Sequence, residues 1–376
     1  MPKKLLNKII RHLDADDLES FSLDKQSGEL CYLAKTQKKT IKIPNALCED
    51  FFASVEKALS TNQNGEKRFR LFDSRGKIGI SLKYYHEDGQ RKISAEINKP
   101  EKLIAFKHLG FNLEQQKKVR QTLRQKKGLI VAGLPAGNGL SNLIYSLADE
   151  INLEEKDAYL LSASQEHRIQ GLNFIPLDYP SEEDLRKKLA WLEKKDAEVI
   201  IVPEIYERQT ALELVRMANA GHLVIAGCRS RDAFSVLNSF LKSGPVKEVL
   251  TNFSLIISGR QVHRLCPHCI EKYQSSQEEI NIFAKRFSWS KKTAEKMMPK
   301  KLLRSIGCPK CHYHGHLDKT GIYEILTLDQ ELKNCEDILT LRRLALEKGH
   351  YPLLAVALNA AQNGIISLRE ILSLKF

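Results

Sequence analysis

The rhythm of apolar and polar positions changes near residue 100. Before it, short alternating runs are broken by turn signals. "SFSLDKQSGELCYLAK", residues 20–35, predicts a strand, a turn centred on Ser27-Gly28 and a second strand. "KKTIKIPNALCEDFFASVEKALS" follows with a short strand and a break at Pro44. Leu47, Phe51, Phe52, Val55 and Leu59 then recur at helical spacing. "TNQNGEK" is a polar loop. Residues 69–97 alternate in places around the turn signals Arg75-Gly76 and Asp88-Gly89, which predicts a strand meander. Pro100 marks a boundary.

From residue 101 strands and helices alternate. "FNLEQQKKVRQTLRQK" predicts an amphipathic helix. The pattern then predicts strands over 129–132, 158–163, 198–204, 221–227 and 250–262. Helices are predicted from Ser181 to Lys195, Thr210 to Ala220 and Asp232 to Leu241. Near-continuous apolar strands separated by helices point to an α/β fold, a parallel or mixed sheet covered on both faces. After residue 265 comes a basic, helix-prone segment, "FAKRFSWSKKTAEKMMPKKLLRSI", and residues 330–376 read as helical.

Composition narrows the class. The 376 residues suffice for two or three domains, and 42% hydrophobic with 28% charged residues is ordinary for a folded soluble chain. No apolar run approaches the roughly 20 residues of a membrane helix. "MPKKLLNKIIRHLDADDLES" has no long apolar stretch, so no signal peptide is expected and the default compartment is the cytoplasm. The net charge of +13 is compatible with a solvated basic surface, an acidic partner, an anionic membrane face or nucleic acid. The basic pairs are scattered, from Lys3-Lys4 to Lys300-Lys301, so no specific nucleic-acid partner is expected.

Eight cysteines are too few for a disulfide scaffold in a chain this long. Four form two C-x-x-C pairs, "CPHC" (Cys266, Cys269) and "CPKC" (Cys308, Cys311). Two such knuckles suit tetrahedral Zn²⁺, and four thiolates leave no open position, so the site reads as structural. The 38 residues between the pairs require an inserted subdomain rather than a compact hairpin. His268, His312, His314 and His316 lie nearby, but four sulfurs already complete the shell. Cys31, Cys48, Cys228 and Cys335 read as buried or incidental.

"GLIVAGLPAGNGLSNLIY", Gly128 to Tyr145, runs from an apolar strand through a Pro/Gly loop into an apolar-periodic helix. That is the layout of a phosphate-binding loop, G-x-x-x-x-G-K-[ST], whose backbone N–H groups and lysine hold phosphates. Here the lysine position holds Leu140 and the first glycine position holds Leu134.

The order of this loop, "AEVIIVPEIYERQTALELVRMANAGHLVIAG", "QVHRLCPHC", "GCPKCHYHGHLDKTGIYEIL" and "NGIISLREIL" resembles the bacterial type II secretion and type IV pilus assembly ATPase family, hexameric motors with a tetracysteine zinc element. The resemblance runs from about residue 101 to the end. Residues 18–100 are similar in layout to the family's second N-terminal domain, and its first, docking domain is expected to be missing. The resemblance implies a RecA-like P-loop NTPase core with a small N-terminal α/β domain and an inserted zinc-binding subdomain. The implied divisions are 1–100 for the N-terminal domain, 101–262 for the core, 263–320 for the zinc subdomain and 321–376 for a C-terminal helical part.

Within that resemblance the residues that hold the fold are kept and those that do chemistry are mostly replaced. Gly137, Asn138, Gly139 and Ser141 remain as a degenerate nucleotide-binding set, in which Ser141 matches the family's Mg²⁺-holding residue. Leu140 cannot neutralise transferring phosphate charge. Lys126 and Lys127 stand before the strand, at its far end. Glu204 matches the family's catalytic glutamate, but Pro203 and Tyr206 replace its neighbours. In the acidic box, Ala163 and Ser164 replace two acids, and Glu166 is close but out of register. In the histidine box the histidine becomes Arg229 while Asp232 stays, and the upstream "TGH" survives as Ala220-Gly221-His222. The N-terminal arginines that reach nucleotide correspond to Ser81 and Glu96.

The resemblance therefore implies a pseudo-ATPase, a structural or regulatory subunit of a pilus or secretion machine. The alternative is a divergent but active motor using Glu204, Ser141 and the loop backbone, with Arg229 or a neighbouring subunit's arginine in place of the lysine. Zn²⁺ is the expected structural cofactor, and ATP/Mg²⁺ binding is not expected to survive in full. The implied partners are further copies or an active paralogue in a ring, and membrane platform proteins. The implied location is cytoplasmic, peripheral at the inner membrane.

Overall fold

The computed structural model describes residues 18–34, 37–43, 45–59, 65–73, 76–87, 90–98, 103–153, 156–163, 165–177, 182–205, 208–242, 246–299 and 301–374. The chain forms two compact units, Met1–Lys102 and Leu103–Phe376.

In the first unit β1 (Leu18–Asp24), β2 (Glu29–Ala34), β3 (Gln37–Lys42), β4 (Gly65–Asp73), β5 (Gly76–Glu87) and β6 (Gln90–Asn98) form one antiparallel sheet, ordered β3-β2-β1-β6-β5-β4. The turn between β1 and β2 places Gly28 at φ +64°, where a side chain would be strained. The helix Asn45–Leu59 buries Phe51, Phe52 and Val55. Phe51 meets Phe21 and Phe52 meets Tyr84, at ring separations of 6.5 and 6.3 Å. Three positions of the predicted apolar set, Phe51, Phe52 and Val55, are thus packing positions. Pro44, Arg75, Asp88, Gly89 and Pro100 lie outside the described residues.

The second unit is built on a seven-stranded sheet ordered β15-β12-β7-β11-β10-β8-β9. These strands are β7 (Gly128–Gly133), β8 (Ala158–Ser162), β9 (Leu172–Pro176), β10 (Val199–Ile205), β11 (Leu223–Cys228), β12 (Phe253–Leu265) and β15 (His316–Thr327). All neighbours run parallel except β12 and β15. Successive side chains on a strand point to opposite faces, so every strand feeds two cores. Leu129, Val131, Ile200, Val202 and Val224 pack on one face, with the helices Glu182–Lys194, Arg208–Ala220 and Ala233–Leu241. Ile130, Ala132, Val199, Ile201 and Ile225 pack on the other, with Leu113–Leu123 and Leu140–Asp149. That is why these strands read as continuous apolar runs. The helix Leu113–Leu123 starts at a reciprocal cap: Asn112 Oδ1 accepts from the Gln115 N–H at 2.8 Å, and Gln115 Oε1 accepts from the Asn112 N–H at 3.1 Å.

Four strands of this unit, Ile270–Gln274 among them, depart from the sequence expectation. β9 is short and only partly buried, so it carries little apolar signal. β15 looks polar at its start, where it lies beyond the sheet core. Lys301–Ser305, expected to be helical, is a strand (β14) because it pairs with β13 (Ile270–Gln274). This hairpin and the helices Gln277–Arg286 and Lys291–Met297 sit between β12 and β15 in the chain. The β12–β15 pair keeps one register from Leu255↔Thr327 to His263↔Lys319 and shifts before Leu265↔His316. It therefore carries the cysteine segment at one end. The chain closes with the helices Gln330–Lys333, Ile338–Glu347, Leu353–Gln362 and Leu368–Ser373.

Candidate functional site

Gly133, Ile205, Cys228 and Ser258 mark one edge of the parallel sheet, joined by the registers Gly133↔Cys228, Ile205↔Cys228 and Ser258↔Gly133. In open α/β sheets the carboxyl ends of strands form the ligand crevice. Here the β7 chain turns through Leu134–Gly139 into the helix Leu140–Asp149. Gly137 and Gly139 have φ of +75° and +80°, and a Cβ at either would meet nothing within 4 Å. Glycine is needed there for its dihedral freedom, not for space. Asn138 ties the loop: its Nδ2 donates to Pro135 O at 3.3 Å and Ala136 O at 3.0 Å, and its Oδ1 accepts from the Gln261 N–H at 3.1 Å.

Leu140 is half-buried and packs onto the apolar cluster beneath the loop. A Cβ at Gly227 would lie 3.3 Å from Leu140 Cδ1 and 2.0 Å from Pro203 O, so the ends of β10 and β11 close tightly under this leucine. Ser141 Oγ donates to Glu166 Oε1 at 3.4 Å. The Glu166 N–H donates to Tyr145 Oη at 2.9 Å, which fixes the segment bearing Glu166 against the helix. The structure therefore brings together Gly137, Asn138, Gly139, Ser141 and Glu166. Sequence register alone had left Glu166 out.

Glu204 lies near the end of β10, where pairing with β11 is irregular between Val202 and Ile205. Pro203 has no N–H to give to a ladder, and an irregular end is where a strand tolerates it. Arg229 follows β11 directly and its Nε ion-pairs with Glu204 Oε1. Burial, with the nearby Glu204 charge, pushes the Cys228 thiol up to about 12. Asp232 is the N-cap of Ala233–Leu241, accepting from the Ser235 N–H at 2.7 Å and Ser235 Oγ at 2.9 Å. His222 sits at the opposite end of β11 from Arg229, buried, with Nδ1 donating to Ala197 O at 2.5 Å. Ser164 and Tyr206 lie outside the described residues. Ser81 and Glu96 face each other in the β5–β6 register.

A buried polar cluster lies nearby that the sequence reading had missed. Glu324 on β15 is 1% exposed, and its Oε1 meets His350 Nε2 at 2.8 Å. Its other oxygen accepts from the Ala233 N–H at 3.4 Å, at the N-terminus of a helix, where a carboxylate is favoured. Arg260 on β12 is also buried, which lowers its pKa, while the charges of Asp232 and Glu324 oppose that. The available signal was the single acid in the apolar run "GIYEIL".

The four cysteines form the second site. The sulfurs of Cys266, Cys269, Cys308 and Cys311 all lie within 4.8 Å of one another. Cys266–Cys308 and Cys269–Cys311 are 3.9 Å apart, and Cys308–Cys311 3.8 Å. Disulfides need about 2.05 Å. Four bonds of about 2.3 Å at tetrahedral angles put sulfurs about 3.8 Å apart, so the spacing fits Zn²⁺. The N–H groups of Cys308 and Gly315 donate to Cys311 Sγ at 3.2 and 3.3 Å. Burial disfavours ionisation of this thiol, but those bonds outweigh it and hold it down at about 6. Those bonds thus favour the thiolate at Cys311, while burial pushes the Cys266 and Cys269 thiols up.

A parallel sheet flanked by helices, a glycine loop at its carboxyl edge and a tetracysteine insertion define a RecA-like P-loop NTPase fold with a small N-terminal α/β domain. The fold matches the pilus retraction motor PilT crystallised with ADP (TM-score 0.69, 16% identity, 97% of this chain and 95% of that one). It also matches the Legionella pneumophila ATPase DotB (TM-score 0.64, 12% identity, 98% and 94%). Residues 91–373 match the family model described as Type II/IV secretion system protein, and the chain belongs to that family. Among curated relatives, type II secretion system protein E of Pseudomonas aeruginosa is 24% identical over 248 residues, 66% of this chain and 48% of the relative. The type II secretion system ATPase E of Vibrio cholerae is 26% identical over 247 residues, 65% and 47%. The type IV pilus assembly ATPase PilB of P. aeruginosa is 25% identical over 268 residues, 70% and 46%. The chain spans about half the length of these curated relatives. Among the described residues no helix is long and apolar enough to cross a membrane.

Proposed function

We propose that this chain is a pseudo-ATPase of the secretion and pilus assembly family, acting by assembly rather than by hydrolysis. The observation that carries this reading is the ion pair of Glu204 with Arg229. Glu204 matches the family's water-polarising glutamate. A guanidinium on its carboxylate leaves less negative charge to orient a nucleophile. Leu140, packed into the apolar cluster, supports the reading from the phosphate side. On this reading the site is a remnant: Gly137, Asn138, Gly139 and Ser141 keep the turn, and the lysine's charge has no replacement on the loop.

As the same proposal, Cys266, Cys269, Cys308 and Cys311 hold one structural Zn²⁺. The metal would cross-link the turn after β12 to the turn before β15, and it supplies no reaction step. The domain divisions at about residues 100, 262 and 320 follow the same family layout. The chain would occupy ring positions with its own copies or an active paralogue. It would contact membrane platform proteins from the cytoplasmic side of an inner membrane.

The second reading is a divergent, active ATPase. The Ser141–Glu166 contact favours it, since it sets a carboxylate beside the hydroxyl that matches the family's Mg²⁺ holder. ATP turnover of the purified, zinc-loaded protein separates the two. The pseudo-ATPase reading expects turnover at background and no Mg²⁺-dependent thermal shift with ATP. Turnover near that of an active family motor, lost in Glu204→Gln, overturns it.

A further inference from the structure

We propose that His263 and His316 form a transition-metal site separate from the tetracysteine cluster, taking a divalent ion such as Ni²⁺ or Cu²⁺ through their Nε2 atoms. The site follows from the pairing of β12 with β15. Leu265 is in register with His316, and the register shifts between His263 and Leu265. The two rings meet with centroids 4.7 Å apart and planes at 61°. Both residues are exposed, so an ion and its waters have access.

Hydrogen bonds decide the tautomers. His263 Nδ1 lies 3.1 Å from Glu370 Oε1, and His316 Nδ1 lies 2.9 Å from His314 O. A carboxylate and a carbonyl only accept, so each Nδ1 carries its proton. In the neutral ring the lone pair is then confined to Nε2. Metal-ligating histidines characteristically donate their other ring N–H to a carboxylate or a backbone carbonyl, which fixes the ring and raises its basicity. Glu370 is itself held: its Oε1 accepts the His263 N–H at 2.9 Å, and its own N–H donates to Ser367 Oγ at 3.0 Å.

The ring separation bears on whether one ion can reach both rings. An ion about 2.1 Å from each Nε2 lies about 3.2 Å from each ring centroid. Centroids 4.7 Å apart then subtend about 95° at the ion. That is an angle that two neighbouring ligands of one ion can take. Solvent would complete the shell; the His314 ring lies 5.9 Å from that of His316. The four sulfurs satisfy their own ion and need none of these imidazoles.

The test is Ni²⁺ titration of tag-free, zinc-loaded full chain by calorimetry, with zinc content and thermal melting followed in parallel. The expected result is about one Ni²⁺ per chain. His263→Ala and His316→Ala should each weaken it at least about tenfold at unchanged zinc content, and Glu370→Gln about tenfold through loss of the anchoring carboxylate. His268→Ala, an exposed histidine of the Cys266–Cys269 turn, should leave it unchanged. Absence of Ni²⁺ binding, or equal affinity in the parent, His263→Ala and His316→Ala, overturns the proposal and leaves two packed rings. A loss confined to His268→Ala overturns it as well.

Discussion

Arg229, the first residue after β11, closes an ion pair on Glu204, near the end of the neighbouring strand β10. The two parallel strands end together, so residues 25 positions apart in the chain become partners. Arg229 and Glu204 are therefore one electrostatic unit.

On the pseudo-ATPase proposal, a lysine placed in the loop should not by itself produce turnover. Leu140→Lys removes an apolar contact worth about 1–2 kcal/mol of burial and leaves Glu204 paired. ATP turnover of Leu140→Lys is expected to stay at background. The double change Leu140→Lys with Arg229→His should rise above either single change. A steady-state assay of the three variants checks this, and full turnover in Leu140→Lys alone would contradict it.

The two loop glycines differ from Gly227 in why they are glycine. Gly137→Ala and Gly139→Ala meet open space and should cost only the dihedral strain, about 1–2 kcal/mol. Asn at Gly139 should cost less, since asparagine tolerates the left-handed region. Gly227→Ala would drive a Cβ to within 2.0 Å of Pro203 O and should be far more damaging. Urea unfolding midpoints of these four variants rank them.

Glu324 and His350 are 1% and 4% exposed at the side chain, so their contact is not diluted by solvent. Replacing Glu324 with Leu strips His350 and the Ala233 N–H of a shared acceptor and removes a negative charge that acts on buried Arg260. Leaving a buried hydrogen-bonding group without its partner costs about 1–3 kcal/mol. Thermal unfolding should fall by several degrees per domain of this size. Replacing both partners by apolar residues should recover part of that loss.

Chelation should act locally. With Zn²⁺ removed, or in Cys308→Ser, the segment between β12 and β15 should lose hydrogen-exchange protection. The β7–β11–β10 core, buried on both faces, should keep it. Protein purified without chelator should carry one zinc per chain, measured by elemental analysis.

Cys228 gives a pH-dependent readout. Its folded pKa of about 12 lies above the usual 9.0, so folding favours the protonated thiol. That contribution is complete below about pH 9 and is lost as pH rises toward 12. Alkylation of Cys228 at pH 8 should therefore be negligible in the native protein and prompt in denaturant. Mass spectrometry of the modified peptide decides it.

Much of the fold was legible from apolar periodicity. β7, β10 and β11 are buried on both faces, and burial on both faces writes itself as an unbroken apolar run. β14 and β15 were illegible for the opposite reason: their strand state comes from partners far away in the chain, β13 and β12. The cysteine spacing could suggest a four-sulfur site, because C-x-x-C is a local turn requirement. Glu166 beside Ser141, Arg229 on Glu204 and Glu324 on His350 could not be read, because each joins separate elements.

The sequence by itself determined which segments became strands and helices of the parallel core. It also set the glycine turn between β7 and its helix, and the pairing of cysteines into two knuckles. These depend on local dihedral preference and on side-chain alternation. Only the tertiary structure decided what the loop residues do there. Leu140 lies in an apolar cluster rather than reaching over a phosphate, and the Glu204 carboxylate faces a guanidinium. Those outcomes depend on which strand ends lie side by side, a relation set by the sheet order and not by any single stretch of chain.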